Sequence, residues 1–320
     1  MNHNINYFSH GRTALKFGLI HLKIRSEQLV LIPEFICDAA LQPFQQLQIK
    51  SIYYKVNRDL SVDYDDIKNK INKHVKALMV VHYFGNQNEI LNAKSFCDEY
   101  NLILIEDNAH GHGGSVNGKL LGTFGDIGFS SPRKLFPLNY GGVLYTKSKV
   151  TCIPKISKPQ KIDLLKKTVK TKAISYIKPF LKYYKAPMKS TVDNYIPDLG
   201  IDNKSLNRLL KTDFKNEKNK RLSIYNNLEN FVKRNGISPV IKNFSSDCIP
   251  WAFPVYIENQ NKKDFILDFA RKFNINVFSW PRLPNNLDET NFSAMNLKNQ
   301  TIVFLISPNR FNRKILKDIE

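Results

Sequence analysis

Between residues 102 and 146 the chain sets two reactive side-chain types at a spacing that suggests chemistry. The apolar run Leu102–Ile105 delivers an acid pair, Glu106 and Asp107, into a turn rich in Gly and His, NAHGHGG. An apolar run closed by an acid reads as a buried parallel strand that ends at a site. Ligands of open α/β sheets collect beyond the carboxyl ends of such strands. Further on, Lys134 lies in the loop SSPRKLFP, seven residues before Gly141-Gly142. An acid that keeps a pyridine nitrogen protonated and a lysine that forms a Schiff base are the two groups a pyridoxal phosphate (PLP) enzyme requires.

Each residue also has a plainer reading. Asp107 fits a helix N-cap, and Lys134 a solvated loop. His110 and His112 beside Asp107 form a triplet able to ligate a metal for hydrolysis. The other histidines, 3, 10, 21, 74 and 82, supply no further ligand cluster, so no metal is expected. SHGRTAL opens the first helix. Its free backbone N–H groups, with Gly11 allowing close approach and Thr13 adding a hydroxyl, form a phosphate cradle or an ordinary capped helix.

The motifs IEDNAHGHG, LGTFGD, FSSPRK and GGVLYT, preceded by SHGRTAL, LIPEFICDAAL, VDYDDIKNKI and VVHYFGN, resemble the nucleotide-sugar aminotransferases of PLP fold type I, the DegT–StrS group. The resemblance is dense over residues 5–146 and thin afterwards. It implies that Lys134 is the Schiff-base lysine and Asp107 the pyridinium partner. It sets His110 near the cofactor's ring face or phenolic oxygen and leaves His112 structural. It gives Ser130 and Ser131 hydrogen bonds to the phosphate or to Lys134. The family's usual serine lies five residues before the lysine, whereas Ser130 lies four before it, so both stay candidates. Arg12 stands where the family more often has Thr, and either contacts the phosphate or points outward. The aromatic that usually stacks on the pyridine is replaced by Cys37, with Phe35 two residues earlier; either Phe35 stacks or both pack the core.

Trp280 in SWPRLP and Arg310 in SPNRFN are candidates for the substrate side, with Arg310 able to pair bidentately with a donor carboxylate. The family's Asn-x-Arg motif is not found; NYIPDLGIDN lies in roughly its place. Relatives with His at the lysine position are dehydratases, so Lys134 points to transamination. The resemblance implies glutamate as donor, a keto-deoxy sugar nucleotide for surface polysaccharide as acceptor, and a homodimer.

The elements that must position these residues alternate. LVLI, IKSIYY, VKALMVVH and LILIED read as strands, with helices near 36–47, 63–72 and 88–100, and IGFS and GGVLYT follow as strands. The expected fold is α/β: a large, mostly parallel sheet domain with helices on both faces over residues 1–200, then a small α/β domain over 201–320. In the second part the pattern predicts one long helix over 203–234, strands PWAFPVYI, INVFSW and TIVFLIS, a helix near 262–273 and a last helix from about 309.

The 320-residue chain carries a net charge of +20, which raises nucleic-acid binding. Its distribution argues against that. Residues 155–189 hold eleven lysines against one acid, with apolar positions at helical spacing, and elsewhere lysine outnumbers arginine. That segment fits a solvated cover over the site, a surface for anionic lipid headgroups, or a contact for a sugar nucleotide's diphosphate. A non-catalytic basic binding protein on the same scaffold is disfavoured by the intact Asp107–Lys134 pair. Cys37, Cys97, Cys152 and Cys248 lie far apart without a CxxC and are expected reduced. No apolar run approaches a membrane span, and MNHNINYFSHGR lacks a signal-peptide core, so a cytoplasmic protein is expected.

Overall fold

The computed structural model describes residues 3–87, 89–151, 153–154, 198–284, 287, 292–311 and 315. The lysine-rich segment 155–189 and Cys152 lie outside the described residues. A seven-stranded sheet dominates, built from β1 (Asn4–Phe8), β2 (Leu29–Pro33), β3 (Lys50–Tyr54), β4 (Val75–Val81), β5 (Ile103–Asn108), β8 (Ile127–Ser130) and β9 (Gly142–Thr146). Its order is β1-β9-β8-β5-β4-β2-β3. From β3 through β8 all neighbours are parallel, while β9 runs antiparallel to both β8 and β1. Strands β6 (Ser115–Val116) and β7 (Lys119–Leu120) form a small separate hairpin.

Central strands β4 and β5 are buried almost throughout, as expected where helices cover both faces. Helix α1 (Gly11–His21) packs on β8 and β9, and α4 (Ile90–Glu99) on β4 and β5. The region 36–47 is not one helix. It divides into a 3-10 turn, Asp38–Ala40, and a short α2, Gln42–Gln46, with Pro43 in its first turn. Asp63 caps α3 (Tyr64–Lys68), accepting from Asp66 N at 3.0 Å.

The segment 203–234 departs from expectation in the same way. It forms α5 (Asn203–Leu210) and α6 (Phe214–Arg234), because Asp213 caps a new helix by accepting from Asn216 N at 3.0 Å. A second, antiparallel sheet holds β10 (Ala252–Tyr256), β11 (Val277–Phe278) and β12 (Thr301–Leu305) in the order β10-β12-β11. Helix α7 (Gln260–Lys272) matches the expected one, α8 (Phe292–Gln300) was not anticipated, and the helix expected from 309 lies largely outside the described residues.

Two apolar cores result. The larger gathers both faces of the main sheet, together with Leu209, Val240, Ile249 and Trp251 from the later chain. The smaller lies between α6, α7 and the second sheet, around Tyr225, Leu228, Phe253, Phe269 and Phe304.

Candidate active site

The acid pair at the end of β5 is split by the strand's pleat, since consecutive side chains face opposite sides of a sheet. Glu106 is wholly buried and accepts from the backbone N–H groups of Gly122 at 2.8 Å, Phe124 at 2.5 Å and Gly125 at 2.6 Å. His82 Nε2 lies 3.1 Å from the same carboxylate. Glu106 therefore folds the loop at 121–125 and takes no part in the cavity. Asp107 faces the other way and lines an open cavity. Its carboxylate accepts a hydrogen bond from Ala109 N at 2.9 Å. Burial pushes its pKa up, against the pull of the Lys134 charge, the Ala109 N–H and His82.

Lys134 ends a 3-10 turn, Pro132–Lys134, and lines the same cavity. Its Nζ lies 5.1 Å from the centroid of the Trp251 ring. Burial lowers its pKa below that of an ordinary lysine. Cys37 and Asp107 oppose the shift, and Arg133 next door adds only a lesser push downward. The like charge of Arg133 is thus secondary to burial.

His110 stacks on Trp251 at 4.1 Å between centroids and 29° between planes. The Phe84 N–H donates to His110 Nδ1 at 3.2 Å, so the neutral imidazole carries its proton on Nε2. Burial first, and the Lys134 charge second, hold its pKa well below the usual histidine range. Phe84 itself adopts a left-handed backbone, φ +56°, which an L-residue tolerates only when tied down. Its two backbone groups are the ties: the N–H binds His110 and the C=O accepts from Trp251 N at 2.8 Å.

His112 diverges from His110. Its Nδ1 sits 2.8 Å from Ser130 Oγ and 3.1 Å from the Tyr145 hydroxyl, behind the cavity wall, and burial lowers its pKa to about 4. Among the described residues no group of three or more His, Cys, Asp or Glu is arranged to hold a metal ion.

The two serines part in the same manner. Ser130 turns to His112, whereas Ser131 lines the cavity with its Oγ 3.4 Å from the Gly141 carbonyl. His10, Gly11 and Arg12, at the start of α1, line the cavity too, while Thr13 is buried and is not part of the lining. Arg12 Nη1 donates to Gln42 Oε1 at 3.0 Å. The Gly pair explains why this helix start can come so close. A Cβ on Gly142 would lie 2.1 Å from the His10 carbonyl oxygen, and Gly141 N donates to Ser9 O at 2.8 Å.

Cys37 lines the cavity, its thiol pKa raised by burial. Phe35 sits a layer behind, edge-on to Trp280 at 5.4 Å, and Trp280 itself forms cavity wall. Arg310 is exposed, donates to Asn276 Oδ1 at 2.9 Å and is not part of the lining. Sequence reasoning missed Trp251 and Phe84. Trp251 carried a weak signal as one of two tryptophans, directly before a strand. Phe84 carried none, because its role lies in its backbone.

Residues 2–153 match the DegT/DnrJ/EryC1/StrS aminotransferase family. A GDP-perosamine synthase of Vibrio cholerae is 34% identical over 145 residues, 44% of this chain and 40% of that protein. The chain thus spans about two fifths of the length of that curated relative in the match. Solved structures cover more. A DegT DnrJ EryC1 StrS aminotransferase from Brucella abortus superposes on 99% of this chain and 84% of its own, with TM-score 0.69 and 16% identity. NtdA from Bacillus subtilis, with bound cofactor PMP, superposes on 98% of this chain and 73% of its own, with TM-score 0.67 and 17% identity. The fold is that of the PLP fold type I aminotransferases.

Proposed function

We propose that the protein is a PLP-dependent aminotransferase that moves an amino group from an amino acid to a keto-sugar nucleotide. The observation that carries this reading is the meeting of Asp107, Lys134 and His110 in one cavity at the N-terminus of α1. The residues fit the cofactor. Asp107 is a buried acid whose carboxylate accepts from Ala109 N, suited to a cationic ring nitrogen that would offset its burial. The cap residue His10 gives α1 no side-chain cap hydrogen bond, and the start of this eleven-residue helix, with its positive dipole end, faces the cavity where a phosphate would sit. Ser131 and Arg12 flank that position, and Gly11 lets the helix start close on Ser131, whose Cβ a side chain there would approach to 3.3 Å.

When bound, PLP supplies an electron sink and carries the amino group between substrates. The chain supplies the rest. Asp107 keeps the sink charged, His110 offers an Nε2–H, and Trp251 backs His110 and lies beside Lys134. The lowered pKa of Lys134 suits an amine that must give up a proton at its Nζ more readily than an ordinary lysine does.

The acceptor class rests on the relatives, among them the GDP-perosamine synthase and a dTDP-4-dehydro-2,3,6-trideoxy-D-glucose 4-aminotransferase of Saccharopolyspora spinosa. Glutamate as donor, surface polysaccharide as destination, a homodimeric working form and a cytoplasmic place belong to the same reading. Among the described residues no helix is long and apolar enough to cross a membrane. Purified protein should be yellow, and borohydride reduction followed by peptide mapping should put the pyridoxyl group on Lys134. Lys134→Ala should lose the visible band and turnover while keeping its circular dichroism. A pyridoxyl group on another lysine, or a colourless protein that binds no PLP, overturns the proposal.

A further inference from the structure

Helix α6 carries a charged side chain on its core-facing stripe. Arg221 falls in register with the buried Ile224, Tyr225, Leu228, Phe231 and Val232, and is itself 3% exposed. A guanidinium keeps its charge in an interior even where burial lowers its pKa, so it needs partners. Nε donates to Glu217 Oε1 at 3.0 Å, one turn back. Nη1 donates to the carbonyls of Pro250 at 3.3 Å and Ile306 at 2.8 Å, and Nη2 to the carbonyl of Leu135. These carbonyls lie on three separate stretches of chain. Leu135 directly follows Lys134, Pro250 directly precedes Trp251, and Ile306 N donates to Trp251 O at 3.2 Å. The Lys134–Trp251 contact thus joins two stretches distant in sequence, and Arg221 binds the backbone of both.

We propose that Arg221 is a positioning residue, whose planar fork fixes the Lys134 loop against the Trp251 segment and so aims the Lys134 amine into the cavity. Its functional meaning rests on Lys134 being the reacting amine; its geometric meaning does not. Lysine cannot stand in for it, since an ammonium is a point donor and cannot reach three carbonyls arranged around a plane.

The test is competitive labelling of the cofactor-free protein with trace acetic anhydride across the alkaline range, each lysine followed by peptide mass spectrometry. In folded Arg221→Lys the labelling midpoint of Lys134 is expected to rise by roughly half a pH unit or more as the amine leaves its dry position. Lys94, on the far helix α4, should not move. In the loaded protein kcat should fall about tenfold with KM within twofold, as for an interaction that orients a reacting group. Where Arg221→Lys fails to fold, Glu217→Gln keeps the fork but removes the carboxylate that aims it, and a smaller shift in the same direction is expected. An unmoved Lys134 midpoint in a folded variant overturns the proposal. A shifted midpoint in a protein that binds no PLP leaves the positioning in place and overturns the aminotransferase reading alone.

Discussion

His110 is useful to the site as two atoms a fixed distance apart, an acceptor toward Phe84 N and a donor at Nε2. Glutamine has the same pair, an amide oxygen and an amide N–H. His110→Gln should therefore keep Phe84 satisfied and retain PLP within about tenfold of parent affinity, roughly 1.4 kcal/mol. His110→Leu leaves a buried N–H unpaired on an already strained residue, and should lose affinity further and melt earlier. Fluorescence titration with PLP, paired with thermal melts, separates the two; equal behaviour of both variants contradicts the pairing argument. His112 plays a different part, legible in pH. Its folded pKa of about 4 lies below the unfolded value of 6.5. Its contribution to stability is thus fully present above pH 6.5. It fades as pH falls from 6.5 toward 4, because the unfolded chain takes up a proton that the folded one refuses. The full loss is about 3 kcal/mol from this residue. His110 acts in the same direction. Urea midpoints at neutral and acid pH should differ less in His112→Gln than in the parent; an equal difference rules the linkage out. The acid, the lysine and the histidine were readable in sequence because motif order marks them. Which of Ser130 and Ser131 faces the cavity was not, because that depends on where a strand's pleat ends.

Among the elements, the start of α1 matters most, and glycine lets it press against β9. The Cβ of Gly142→Ala would meet His10 backbone atoms at 2.1 and 2.2 Å, with Gly11 N at 2.8 Å. Backbone cannot swing aside as a side chain does, so the helix start must move. A stability loss of at least about 3 kcal/mol is expected, with weakened binding of pyridoxal phosphate exceeding that of unphosphorylated pyridoxal. Isothermal titration with the two ligands makes the comparison, and equal losses for both would show that the phosphate end is not at α1. SHGRTAL marked the start of α1, while apolar patterning found β2 through β5 and α7. It missed β1, NINYF, where asparagines hide a strand that pairs with β9. It fused α5 with α6, because an apolar stripe continues in register across a break that only the Asp213 cap reveals.

Across the whole molecule the cavity draws on residues from His10 to Trp280. Its catalytic floor comes from the stretch that matches the family, and that is why the chemistry was legible. Its roof does not. Trp280 in that roof, and Trp251 and the buried Arg221 behind it, all lie beyond residue 153, where the resemblance thins and single residues carry no motif. They meet the floor at a narrow seam: Gly85, at φ +100°, lies so close to Ile249 that a Cβ there would come within 2.2 Å of its carbonyl oxygen. The consequence is a division between what the protein does and what it does it to. On the proposed reading, a floor held to one chemistry by Asp107 and Lys134 can keep its sequence while the roof drifts, and each new roof presents a different shape to an incoming acceptor. Diversification of this scaffold is thus a matter of re-roofing: exchanging residues about the two tryptophans should change which acceptor is taken and leave the half-reaction with the amino donor at its parent rate.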